Sequence, residues 1–158
     1  MRKYRNIYQA ARELKGLTQE AGAERIGVSV DTLGAYEQDR RRPPDSTVLR
    51  MAQVYDFPYL CYQHIAAGDL GGTLPEVQER PLEQATMRLV RLIGTFAKTG
   101  RLDQLMWINE DGIITAEERP LHDAIMAELR DIITTGMELD YATQRKMPAG
   151  VATTDRHM

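Results

Sequence analysis

Arg40, Arg41 and Arg42 stand side by side in a chain whose formal net charge is −3. A guanidinium is a planar fork that binds two oxygens at once, so three in a row suit the phosphates of a polyanion. Three arginines in one loop could equally be a solvated surface run. A second basic group, Arg2, Lys3 and Arg5, opens the sequence. Charge is divided unevenly: ten Lys+Arg face eight Asp+Glu through Ile65, and ten face fifteen from Ala66 onward. The front of the chain is therefore mildly basic, at +2, and the remainder acidic, at −5. A clustered basic patch attracts nucleic acid even when the total charge is negative.

Catalytic chemistry is poorly supplied. His64, His122 and His157 are scattered and form no group with metal-ligand spacing. There is no Gly-rich phosphate loop. The stretch WINEDGIITAEE, Trp107 to Glu118, places Asn109, Asp111, Thr115 and Glu118 at ligand positions of a calcium loop, with Gly112 at its turn. The first ligand position needs a carboxylate and holds Trp107, so a structural turn between helices is expected instead. No metal, no cofactor and no enzymatic activity are expected. No apolar run approaches the ~20 residues that cross a bilayer. The charged start lacks the apolar stretch of a secretory signal. No membrane association is expected. The single Cys61 excludes an intrachain disulfide and suits a reducing, cytoplasmic location.

Helices must position the basic groups. Ile7, Ala10, Ala11 and Leu14 follow helical spacing up to Gly16. Thr18 can cap a second helix that Gly27 stops, and Ser29 a third with Leu33 and Tyr36 inward. Asp45 or Ser46 can cap a fourth, and a fifth runs around Tyr59 to Ile65. Gly68, Gly71, Gly72, Pro75 and Pro81 then mark a break in the pattern. Two longer helices follow. One runs from Leu82 to Ile108 with a break at Gly100. The other begins near a capping box, Thr115 to Glu118, although Pro120 makes its first turn irregular or delays its start. The expected organisation is a helical domain over 1–65, a linker over 66–81, an antiparallel hairpin over 82–145 and a mobile tail over 146–158. A lone hairpin cannot bury both sides of its apolar stripe, so homodimerisation through residues 82–145 is expected.

The stretch LTQEAGAERIGVSVDTLGAYEQDRRRPPD, Leu17 to Asp45, resembles the phage-repressor (Xre-type) helix-turn-helix family. The agreement includes Thr18, Gln19, Glu20, Ala23, Glu24, Arg25, Gly27, Val28, Ser29, Thr32, Tyr36 and Glu37. The resemblance implies an all-α protein: a five-helix, lambda-repressor-like DNA-binding domain ahead of the hairpin. It implies double-stranded DNA as partner and regulation of transcription as function. The third helix would enter the major groove, with Val30, Asp31, Thr32, Gly34 and Ala35 at the base-reading positions. Val30 and Ala35 suit a thymine methyl, and Asp31 a cytosine amino group. Phosphates would be held by Thr18 and Gln19 at a helix N-terminus, by Arg2, Lys3 and Arg5, and by Arg40, Arg41 and Arg42. Arg12 and Glu37 would form an inter-helix ion pair that staples the fold. Gly34 and Gly22 depart from the family pattern. That departure leaves open a protein-interaction adaptor or antitoxin-like partner whose helix-turn-helix is vestigial.

Overall fold

A computed structural model describes residues 6–146. The arm residues Arg2, Lys3 and Arg5 and the segment 147–158 lie outside the described residues. Every regular element described is helical: α1 (Ile7–Leu14), α2 (Gln19–Ile26), α3 (Val30–Glu37), α4 (Asp45–Tyr55), α5 (Tyr59–Ala66), a 3-10 turn (Gly71–Thr73), α6 (Leu82–Lys98), α7 (Arg101–Ile108) and α8 (Arg119–Lys146). The fold is all-α, as the helical spacing implied. Among the described residues no helix is long and apolar enough to cross a membrane. The chain divides into two compact units between Leu74 and Pro75, and the second extends to Thr143.

In the first unit, short helices are set by their ends. Asn6 caps α1, its Oδ1 accepting from the N–H of Tyr8 at 3.1 Å and of Gln9 at 3.2 Å. Thr18 caps α2 and Ser29 caps α3, each accepting from a backbone N–H three residues on. Gly27 ends α2 at φ 78°, a left-handed conformation in which a Cβ would be strained. The helices α1, α4 and α5 pack on one another, and α2 and α3 pack across them. Leu33, Met51, Leu60 and Ile26 are fully buried at the centre. One boundary differs from expectation. Asp45 does not cap α4; it is the first helical residue, after Pro44. Its carboxylate points instead to His64, with Oδ1 3.1 Å from Nε2.

The second unit is an antiparallel helical hairpin with one broken arm. Gly100 adopts φ 69° and separates α6 from α7. The loop then reaches a reciprocal capping box, in which Glu118 N–H donates to Thr115 Oγ1 at 3.3 Å and Thr115 N–H to Glu118 Oε2 at 2.9 Å. The residues inside the box form a turn, and α8 starts at Arg119. Pro120 therefore falls in the first helical turn, where a missing N–H leaves no bond unmade.

Phe96, Ile108 and Ile125 form the hairpin's core, with Leu105, Leu121, Leu129 and Ile132 packed around it. Beside this core runs a ladder of ion pairs. Arg101 bonds both oxygens of Glu128, at 3.2 and 2.6 Å. Arg88 bonds Asp131 and donates to Thr135 Oγ1 at 3.1 Å. Arg80 Nε donates to Glu138 Oε2 at 2.8 Å, and the Tyr141 hydroxyl to Glu79 at 2.6 Å. The residues before α6 are thus tied down on α8, and the acids of α8 are largely answered from within the unit.

Candidate nucleic-acid interface

The site is built around one buried carboxylate. Glu37, at the end of α3, is 2% exposed. Arg12 on α1 grips it bidentately with one edge, Nε to Oε1 at 2.6 Å and Nη2 to Oε2 at 2.9 Å. The remaining nitrogen, Nη1, donates to the Leu17 carbonyl at 2.7 Å, just before α2. Gln19 on α2 adds its amide, Nε2 to Glu37 Oε2 at 2.9 Å. Three helices are thereby joined at one point. The hydrogen bond to Glu37 outweighs burial and raises the Arg12 pKa above its ordinary value, so this cation persists at any working pH. Breaking such a buried pair by removing one partner costs about 3–5 kcal/mol.

Gln19 also lies beside Gly34 of α3. A Cβ on Gly34 would meet its amide nitrogen at 3.6 Å, an ordinary contact. Gly34 is buried, and the direction of its absent side chain is toward Gln19 rather than solvent. Of the other sequence-derived reading positions, Val30 and Asp31 are exposed, and Thr32 and Ala35 half-buried. Thr32 is held by Ser29, whose hydroxyl donates to Thr32 Oγ1 at 2.8 Å.

The exit from α3 is fixed by backbone rather than by glycine. Asp39 takes the left-handed conformation at φ 57°. Its N–H reaches Tyr36 O at 3.2 Å and the Arg40 N–H reaches Ala35 O at 2.9 Å, the paired bonds of a Schellman stop. Asn6 braces the turn, donating to Tyr36 O at 2.6 Å and to Asp39 Oδ1 at 2.8 Å. Arg40 thus begins at a defined point, directly behind the exposed face of α3.

The three arginines then part company. All three are exposed, and the Arg41 guanidinium lies 6.0 Å from the Tyr36 ring centre. Arg42 turns back onto α5. Its Nη2 donates to the His64 carbonyl at 2.8 Å and its Nη1 to the Ala67 carbonyl at 3.4 Å, closing the C-terminal end of that helix. Gly68 leaves room for it, since a Cβ there would lie 2.7 Å from Nη2. His64 itself is buried, with Nδ1 2.7 Å from the Tyr8 hydroxyl.

Sequence reasoning missed two members of this surface. Gln9 and Gln38 line a cleft of about 340 Å³ together with Arg12, Gln19 and Glu37. Gln9 Nε2 is taken by Glu13 at 3.0 Å, while its buried Oε1 has no hydrogen-bond partner among the described residues. Polar uncharged side chains in loops and helix ends carry no spacing signal, so nothing in the sequence singled them out.

Among the described residues no cluster of His, Cys, Asp or Glu could hold a metal ion. A family model described as helix-turn-helix matches residues 9–59. No curated protein and no solved structure matches the chain.

Proposed function

We propose, from the premise that residues 9–59 are a DNA-binding helix-turn-helix domain of the Xre type, that the chain is a dimeric, sequence-specific regulator of transcription of bacterial or phage type. In this reading α3 enters the major groove and presents Val30, Asp31, Thr32 and Ala35 to base edges. The amide-donating start of α2, at Thr18 and Gln19, faces a phosphate. Arg40 and Arg41 grip the strand beyond, and Arg2, Lys3 and Arg5 extend the grip. Arg42 serves the fold. Dimerisation through 82–145 would present two α3 helices to a two-fold operator about one DNA turn apart.

One observation carries the reading: the α2 tip and the arginine loop meet neighbouring residues of α3. Gln19 lies against Gly34, and Ala35 O accepts from the N–H of both Arg40 and Arg41. In this reading phosphate donors from two elements flank the face that would read bases. The chain's own promoter DNA, in a mobility-shift assay across a salt series, tests this. Affinity should fall with a log–log slope of about 0.9 per phosphate neutralised. Salt-independent binding, or none beyond that to scrambled duplex, would overturn it.

A further inference from the structure

Helix α7 is anchored on one side and open on the other. Ile108 is buried in the hairpin core, and Leu105 packs beside it. Arg101, at the start of the helix, is tied to Glu128 on α8. The opposite side carries Leu102, Met106 and Trp107, which are 56%, 74% and 63% exposed. Leu102 and Met106 stand four residues apart, on successive turns of one face. In the loop beyond, Ile113 is exposed as well. Large apolar side chains scattered singly over a surface are ordinary, but a group of them marks a place of contact. Tryptophan and methionine are among the residues enriched where proteins meet.

Charge narrows what could cover this face. From Leu102 to Glu118 the chain holds five carboxylates and no Lys, Arg or His. Over the rest of the second unit, Pro75–Thr143, seven Lys+Arg stand against eight Asp+Glu. The acidity of the unit is therefore concentrated in this one stretch. Asp103 lies three residues before Met106 and four before Trp107, so it shares their face. Glu110 and Asp111 are exposed in the turn after α7, and Glu117 in the turn before α8. On α8, Glu128, Asp131 and Glu138 each hold an arginine. Among the described residues no ion pair engages Asp103, Glu110 or Glu117. An apolar face set among unanswered carboxylates repels nucleic acid and anionic membrane, and it repels the same face of a second copy. It complements a segment that is both apolar and cationic.

We propose that the open face of α7 and the loop after it form a docking site for a basic amphipathic helix of a partner protein. The apolar side of that helix covers Leu102, Met106 and Trp107, and its lysines or arginines reach Asp103, Glu110 and Glu117. The site is preformed. Ile108 and Leu105 fix one side of α7, and the box between Thr115 and Glu118 fixes the far end of the loop. Little chain has to be ordered when the partner arrives, which spares affinity. The site does not depend on DNA binding by the first unit.

The test uses the full chain, whose single tryptophan is Trp107, so its fluorescence reports on this surface alone. The probe is a synthetic peptide of leucine and lysine at helical spacing. Two controls are the same composition with the spacing scrambled, and the patterned peptide with glutamate for lysine. The probe should shift the emission to the blue, bind about tenfold or more tightly than either control, and weaken as salt rises. Met106→Ser should weaken it about tenfold, and so should Asp103→Asn combined with Glu110→Gln. These side chains are exposed, so the helical circular-dichroism signal should persist. Glu76→Gln, an exposed acid at the opposite end of the hairpin, should leave binding unchanged. Equal binding of the patterned and scrambled peptides would reduce the face to a general acidic surface and overturn the site. Tight binding that leaves the emission of Trp107 unmoved would overturn it too, since the peptide would then sit elsewhere on the chain. A blue-shifted tryptophan in self-associated chain without peptide would make a second copy the occupant and overturn the basic partner. The comparison of peptides on the unaltered chain stands even where a variant folds poorly.

Discussion

Gly22 and Arg12 share one volume: a Cβ on Gly22 would lie 2.9 Å from Arg12 Cδ and 3.4 Å from Leu33 Cδ2. Arg12 cannot swing aside, because Glu37 holds its Nε and Nη2 and the Leu17 carbonyl holds its Nη1. Alanine at position 22 would gain about 1 kcal/mol in helix propensity. Overfilling a locked site costs about 1–3 kcal/mol. The expected sum is a modest loss, so Gly22→Ala should lower the melting temperature, and Gly22→Leu should lower it further. A rise with Gly22→Ala would mean that Arg12 has somewhere else to go.

Removal of one member of the buried pair should be severe. Arg12→Ala strands Glu37 in the core and should cost about 3–5 kcal/mol in urea unfolding. Replacing both charges, Arg12→Met with Glu37→Leu, removes the desolvation cost as well and should lose markedly less. Equal losses from the single and paired changes would show that the hydrogen bonds from Leu17 and Gln19, rather than charge, set the cost.

The arginine run should separate into two behaviours. Arg40→Ala with Arg41→Ala should flatten the salt dependence of DNA binding by about 2 units, near 0.9 for each phosphate released. Melting temperature should change little. Arg42→Ala should do the reverse: it uncovers the end of α5 and should cost about 1 kcal/mol of stability, with the slope preserved. An unaltered slope in the first variant would take those two side chains off the strand.

Alkaline pH should unfold the protein through its tyrosines. Burial raises Tyr8 above its ordinary 10.0, with Arg42 opposing and Asp39 adding slightly. Burial raises Tyr55 strongly, with Glu37 adding to it. The folded state thus holds protons that the unfolded chain releases at about pH 10. The stability contribution is complete below that point and is lost as pH climbs above it. Absorbance at 295 nm should reveal part of the seven tyrosines ionising only together with loss of helical signal. Simple titration of all seven, with helix retained, would contradict the burial of these two.

The helices were legible because their ends are written in local chemistry. Thr18, Ser29 and Gly27 announce the boundaries of α2 and α3, and Gly100 announces the break after α6. What stayed hidden lies at long range. Arg42 looks the same as its neighbours in a string of letters, and its partners are carbonyls more than twenty residues away. Asp45 resembles a helix cap until His64 claims its carboxylate. Asp39 stands where a glycine would have signalled a left-handed stop, and Asn6 is what braces it there. Gly22 reads as a missing apolar residue, whereas the gap belongs to an arginine on another helix. The breaker-rich stretch before α6 reads as a tether, but Glu79 and Arg80 are moored to α8 by residues that no local pattern connects to them.

The three arginine contacts along α8 have a mechanical consequence. Arg101, Arg88 and Arg80 meet Glu128, Asp131 and Glu138 in reverse chain order. Arg88 lies within α6, Arg80 just before it and Arg101 just after the Gly100 break, so sliding α6 along α8 by a single turn would strain all three contacts. The second unit thus has no gears. A signal arriving there could bend it, part it or change its company, but could not travel as one helix slipping past its neighbour.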